Sequence, residues 1–386
     1  MSFYFEPDLS AGSFRMAALV EALQRQVTPE VQIDVLTTQP NRYASYSEAT
    51  LSEEALGAVR VKRFTLPAHR SGFLDQSKAF VVFAYQVLKV TRGSQYDLVF
   101  ATSSRLFTAA LGALVASRIR TSLYLDIRDI FVDTLQDVLS PLAARLMLPV
   151  FRLVEWWTII RAVHINLVSA GFLEYFKSRY PRSRLSVIPN GIDNIFLGVN
   201  FSKEVVKSKS IVLYAGNIGE GQGLARIIPG LAKEFIDSHE FWIVGDGGQR
   251  SQLESVVNDL RNVRILSPMS RKELLSLYRD SDILFLHLND YPVFRKVLPS
   301  KLFEYAATEK PIVAGVAGYA AKFLQQVPGV EVFQPCNVED GANAIRNVRG
   351  GAVSRQSFIK HYSRDLLMQE LTASLLAVAN SGASPG

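Results

Sequence analysis

The stretch Ile211–Phe235, "IVLYAGNIGEGQGLARIIPGLAKEF", reads as strand, glycine loop and helix. Ile211–Ala215 is a short apolar run suited to a strand buried on both faces. Four glycines follow before Leu224–Phe235 begins a helix. The same unit recurs downstream: strand Glu240–Val244, helix Arg250–Asp259, strand Val263–Leu266, helix Arg271–Arg279, strand Ile283–Leu288, helix Leu302–Thr308 and strand Pro311–Ala314. Upstream the strands are Phe3–Phe5, Gln32–Thr37, Val59–Leu66, Tyr96–Ala101, Thr121–Asp126, His164–Ser169 and Leu185–Ile188. Between them helices are expected at Met16–Gln24, Phe73–Arg92, Leu106–Ser117 and Pro141–Ala162. Strands alternating with helices predict an α/β fold with parallel sheets. The breakers Pro189-Asn190-Gly191-Ile192-Asp193 interrupt the pattern, which then restarts, so two consecutive sheets are expected, with domains over 1–180 and 185–355.

The 386 residues suffice for two domains, and 48% hydrophobic with 20% charged residues is globular composition. The net charge of +6 permits anionic ligands or an anionic membrane face and gives no reason to expect nucleic acid. Cys336 is the sole cysteine, so no disulfide framework or thiolate metal site forms within one chain. Leu106–Ser117 and Leu146–Val168 are too short, or too charged, for a membrane span. The start has no basic and apolar leader, and a cytoplasmic chain is expected. Phe3–Phe5 is short for a central strand, where about five or six residues are usual. An upstream in-frame start encoding an apolar run is therefore expected.

In open parallel sheets ligands bind at the carboxyl ends of strands, which directs attention to four loops. "DLSAGSFR", Asp8–Arg15, places Gly12 before a helix, where backbone approaches a ligand closely. "LDIRDIFVDT", Leu125–Thr134, sets Asp126, Arg128 and Asp129 after a strand, either to accept a proton or a hydroxyl or to cap a helix with a salt bridge. "YAGNIGEGQGL" carries Gly216, Gly219, Gly221 and Gly223, an order that does not fit the G-x-G-x-x-G dinucleotide fingerprint. "VGDGGQR", Val244–Arg250, is a second glycine turn, with Gly245.

"LPSKLFEYAATEKPIVAG", Leu298–Gly315, sets a puzzle: Lys301 stands in the first turn of a helix, where a cation costs about 0.3–1 kcal/mol. The capping-box position three after Ser300 is Phe303, so local helix chemistry explains neither Lys301 nor Glu304. A bound phosphate explains the lysine, and Glu304, on the same helix face, accepts from vicinal hydroxyls such as those of a ribose. Lysine and glutamate at this spacing suit a nucleoside diphosphate held at both parts.

"VIPNGID", "YAGNIGEGQGL", "WIVGDGGQR", "NVRILSPMSRKELLSLYRDSDILFL" and "LPSKLFEYAATEKPIVAG" occur in the order and spacing of family 4 glycosyltransferases. The chain resembles most the bacterial O-antigen and capsule enzymes of the L-fucosamine transferase type, to which "FYFEPDLSAGSFR", "LTTQPNRY", "YDLVFATS" and "DIRDIFVDT" are also similar. The resemblance spans nearly the whole chain. It implies a GT-B fold: two Rossmann-like domains facing a cleft, the last helix (356–380) packing back on the first. The implied reaction transfers an N-acetylated sugar from a nucleotide sugar, UDP-linked, with retention and without a metal or other cofactor. The implied acceptor is a saccharide on polyprenyl diphosphate. By the same resemblance Glu304 holds the ribose hydroxyls, Pro299, Ser300, Lys301 and Leu302 lie by the diphosphate, and Gly12, Gly216, Asn217, Gly219 and Gly245 face phosphates and sugar. Lys301 is also a catalytic candidate, and Asp129 is the candidate for contact with acceptor or sugar.

Two departures stand against the family pattern. Lys296 replaces the earlier glutamate of E-x7-E, and Asn217 and Gln222 replace a basic pair, leaving Lys301 with Arg295 or Lys296 as substitutes. These departures motivate one rival, a degenerate transferase that serves as a binding partner; a second, a nucleotide-sugar epimerase of the same fold, would use the same donor pocket. A membrane-facing acceptor also draws attention to "LAARLMLPVFRLVEWWTIIRAV", Leu142–Val163. There Arg145, Arg152 and Trp156 share a face if Pro149 leaves the helix unbroken, and weak, salt-sensitive contact with anionic lipid is expected.

Overall fold

The computed structural model describes the chain except residues 29–30, 42–48, 68–72, 104–105, 139–140, 202–207, 352 and 382–386. Residues 42–43 of the "LTTQPNRY" motif lie outside the described residues. The described strands are β1 (Ile33–Thr38), β2 (Glu53–Leu56), β3 (Val59–Phe64), β4 (Leu98–Thr102), β5 (Ser122–Ile127), β6 (His164–Leu167), β7 (Leu185–Val187), β8 (Ser210–Ala215), β9 (His239–Val244), β10 (Val263–Leu266), β11 (Ile283–His287), β12 (Ile312–Gly315) and β13 (Val330–Phe333). Two compact units contain them: Met1–Arg42 with Ser47–Asn190 and Asp365–Gly386, and Gly191–Arg364.

The first unit holds the sheets β1-β3-β2 and β4-β5-β6-β7. Pairing is parallel except at β2–β3. Phe3–Phe5 does not form the expected strand: Phe3 lies at a bend, and the backbone hydrogen bonds to the neighbouring strands are made by Met1 and Ser2. Ser2 N–H donates to Leu36 O at 3.2 Å, and Thr102 N–H donates to Met1 O at 3.2 Å, so this segment joins β1 to β4. Its Phe3, Tyr4 and Phe5 are buried. The first helix begins at Ala11, five residues before the expected start, because Ser10 caps it by accepting from Ser13 N–H. The expected helix over 356–380 is two pieces, Gln356–His361 and Arg364–Asn380. The second piece belongs to the first unit, where Ser374 Oγ lies 3.0 Å from the Tyr124 hydroxyl of β5.

The second unit is one six-stranded sheet in the order β10-β9-β8-β11-β12-β13, with all neighbours parallel. Leu213 of β8 pairs with Leu284 of β11. β8, β11 and β12 are nearly or wholly buried, as strands covered on both faces must be. The chain runs outward from β8 through β9 to β10, then returns to β11 on the other side. The switch point therefore lies between β8 and β11, where open α/β sheets offer a crevice beyond their carboxyl ends.

Candidate functional site

In the second unit two glycine loops meet at the switch point. Gly216 leaves β8 with its N–H on Val244 O at 2.9 Å, Ile218 N–H donates to Asp246 O at 2.8 Å, and Gln249 N–H to Ile218 O at 2.9 Å. Gly245 has φ +148°, and a Cβ there would fall 1.8 Å from Gly216 O. Only glycine permits the two turns to close together. Asn217 Nδ2 donates to Gln222 Oε1 at 2.9 Å, and Gly219 N–H to the same oxygen at 3.2 Å. The residues standing where relatives carry a basic pair thus brace their own loop.

His287, at the end of β11, holds the loop from below. Its Nε2 accepts Cys336 N–H at 2.9 Å, so Nδ1 carries the proton and donates to Gln222 O at 2.7 Å. Burial lowers its pKa to about 4, and the ring is neutral at pH 7.

The helix Lys301–Ala307 packs beside this loop. Leu302, Phe303, Tyr305 and Ala306 are core, so Leu302 offers a ligand no side chain. Ser300 precedes the helix without a side-chain cap. Ala215 N–H donates to the Tyr305 hydroxyl at 3.0 Å and ties the helix to β8. A Cβ at Gly216 would stand 3.6 Å from Lys301 Cε, so the lysine lies against the glycine turn.

Lys301 Nζ is 2.8 Å from Glu304 Oε2, and the Tyr278 hydroxyl donates to the same oxygen at 3.2 Å. The lysine is therefore matched locally, contrary to the expectation that only a ligand accounts for it. Glu304 is 5% exposed. Burial pushes its carboxyl up, but Lys301 and the Arg271 and Arg364 guanidinium groups more than offset this, and the net direction is down. A buried carboxylate kept charged by three cations is a strong acceptor for hydroxyl donors. Asp193, from "VIPNGID", pairs with both Arg271 and Arg364.

Of the other expected donor residues, Pro299 and Ser300 are half-buried beside Lys301. Lys296 ends the short turn Pro292–Lys296 and is half-buried. Arg295 is exposed and turned to Asp290 at 3.2 Å. Tyr278, Arg271 and His287 were not singled out from sequence. Each sits in an ordinary helix or strand pattern, and only the fold brings His287 to the loop, Tyr278 to Glu304 and Arg271 to Asp193.

The first unit brings Gly12 and the loop after β5 together. A Cβ on Gly12 would lie 2.0 Å from Arg128 Nη1, so glycine allows this approach. Asp126 is not a free acid: Arg15 holds it from Nε and Nη2 at 2.9 Å each, and Asn166 Nδ2 donates at 2.7 Å. Asp129 is exposed in the loop before the helix Phe131–Val138. Among the described residues no group of three or more His, Cys, Asp or Glu could hold a metal ion, and no helix is long and apolar enough to cross a membrane.

Residues 12–191 match the family described as glycosyl transferase 4-like domain, and residues 209–349 match glycosyl transferases group 1. Together with the two α/β units, these matches define the class: the chain belongs to the family 4 glycosyltransferases, enzymes of the GT-B fold. Its particular relatives include the "Putative colanic acid biosynthesis glycosyl transferase WcaI" of Escherichia coli strain K12, 32% identical over 144 residues. That match covers 36% of this chain and spans only 35% of the relative's length. Among solved structures, sucrose-phosphate synthase of Thermosynechococcus elongatus aligns at TM-score 0.66 with 16% identity, over 96% of this chain and 91% of that one. HepE of Anabaena, solved in complex with UDP and glucose, aligns at TM-score 0.62 with 16% identity, over 98% and 97%. At these identities the two structures show the fold alone.

Proposed function

We propose that the chain transfers an N-acetylated sugar from a UDP-linked donor to a saccharide carried on polyprenyl diphosphate, in the assembly of a surface polysaccharide. The transfer retains configuration and uses no metal, and the enzyme works from the cytoplasm at the anionic inner face of the membrane. The observation that carries the reading is the pairing of half-buried Lys301 with buried Glu304 at the Gly216 turn beside the sheet's switch point. Lys301 is suited to the diphosphate and to the charge that develops on it as the glycosidic bond breaks. Glu304 is suited to the ribose hydroxyls. The UDP held by HepE and the colanic acid pathway named for the Escherichia coli relative support the donor and the product class.

Binding of UDP-, GDP- and dTDP-sugars to the purified protein tests the donor. UDP-sugars are expected to bind tightest, and preference for another base overturns that assignment. Turnover of donor alone would make the chain an epimerase. Tight binding with no transfer to any lipid-linked acceptor would make it a binding partner. EDTA is expected to leave the transfer rate unchanged. Asp129 contributes to turnover more than to donor affinity: Asp129→Asn lowers kcat with UDP binding and melting temperature unchanged. Parallel loss of stability and activity would assign it to the fold instead.

A further inference from the structure

The helix Pro141–Ile159 is continuous through Pro149, and apolar residues cover both its sides. Ala144, Leu148 and Phe151 are buried with Leu106 and Val132 in the first unit, and the Phe151 ring lies 5.6 Å from Phe107. The outer side carries Leu142, Leu146, Val150, Leu153 and Trp156, and Ile160 continues the row in the turn that follows, its N–H on Trp156 O; all six are between 51% and 73% exposed. At about 100° per residue these six form one stripe, about 27 Å long at 1.5 Å per residue. Exposed side chains of this size scatter singly on ordinary surfaces, and a continuous row of them marks an interaction face.

The charges beside the stripe identify what covers it. Arg145 and Arg152 are exposed along one edge, seven residues apart. The helix has a single acid, Glu155, and it is buried, accepting from the Tyr175 hydroxyl at 2.7 Å and the Tyr180 hydroxyl at 2.9 Å. The outer side is thus apolar and cationic with no carboxylate, so a second copy would bring its arginines to a face with nothing to meet them. An anionic bilayer surface matches both features: acyl chains receive the row and lipid phosphates meet the arginines.

We infer that this outer side is a membrane-docking face, in which the six apolar side chains enter the lipid interface and Arg145 and Arg152 engage anionic headgroups. This deepens the membrane-face reading above, on which it rests, and differs from the expectation from sequence: apolar insertion carries the attachment, and the arginines add lipid selectivity. Attachment is therefore only partly sensitive to salt.

Flotation of the full chain with phosphatidylcholine vesicles, with and without phosphatidylglycerol, tests it without reference to sugar transfer. The parent is expected to float with anionic vesicles and to remain partly bound in high salt. Leu146→Ser/Leu153→Ser/Trp156→Ser should lose flotation at any salt. Arg145→Gln/Arg152→Gln should lose the preference for anionic vesicles, by about fivefold per arginine. All five positions are exposed, and thermal melts with UDP binding verify that each variant is folded. Absence of the parent from anionic vesicles at low salt overturns the inference, as does a triple variant that floats like the parent. A dimer in light scattering that the triple variant dissociates would assign the face to a second copy. A chain that floats as expected but binds no nucleotide sugar would overturn the proposed reaction and leave the docking face standing.

Discussion

Lys301 and Glu304 each have a structural duty in this protein, which shapes how their binding roles are tested. Removing the Lys301 charge leaves Glu304 buried with less compensation, so a single variant loses stability as well as ligand. Lys301→Met is expected to weaken UDP binding about ten- to a hundredfold, the range of a hydrogen bond to a charged group. Lys301→Met/Glu304→Gln removes both charges and should regain melting temperature without regaining affinity. If affinity returns with stability, the pair is structural only. Glu304→Gln alone should weaken UDP binding, and 2′-deoxy-UDP should then bind that variant nearly as well as UDP does. A full further loss with the deoxy ligand would remove Glu304 from the ribose. The lysine and glutamate were legible as a pair because three residues bring them to one helix face. That they bond each other was not, since it depends on how deeply the helix is buried.

At the scale of elements, the glycine loop after β8 depends on β11 and on the turn after β13. Neutral His287 joins them by donating to Gln222 O and accepting from Cys336 N–H. Protonation would set an N–H against an N–H. Its pKa falls from an ordinary 6.5 to about 4 on burial, so between these values the unfolded chain binds more protons than the folded one. Stability contributed by this ring is then full above about pH 6.5 and is lost as pH falls toward 4, at up to about 1.4 kcal/mol per pH unit. Denaturant unfolding at steps between pH 4.5 and 7 should show a shallower acid loss in His287→Gln than in the parent. Equal slopes would show that the ring does not couple to folding. From sequence, His287 was one more residue of the strand Ile283–Leu288. β2 and β13 were missed for a related reason: Glu53–Leu56 has no apolar run, and its strand exists because β3 supplies a partner.

Over the whole first unit, Arg15 is the tie between distant segments. Besides its two bonds to Asp126, it donates to Pro189 O at 2.6 Å and Ile188 O at 3.0 Å. The first helix, β5 and the chain leaving β7 are thus joined by one fully buried guanidinium. Arg15→Leu strands the Asp126 carboxylate and is expected to cost about 3–5 kcal/mol of stability. Urea unfolding measures this, and a loss under about 1 kcal/mol would mean that water or Asn166 satisfies the acid.

The alternation of apolar runs with helices determined a mainly parallel α/β fold, and the breakers at Pro189–Asp193 marked where the pattern restarts; that the first unit holds two sheets where one was expected, one with an antiparallel strand, was decided by the fold. The alternation and the breakers are local: a strand or helix is written in the spacing of a few neighbouring residues, and glycine turns in single positions. Tertiary structure decided which carboxylates are buried. Asp126 and Asp129 stand three residues apart in one motif, yet Asp126 is locked by an arginine 111 residues away and Asp129 is exposed. It also decided that Leu142, Leu146 and Leu153 face outward while Leu148 and Phe151 face the core. A helix apolar all round has no preferred inner side in its sequence. Burial is set by the neighbours the chain happens to fold against, and those are non-local.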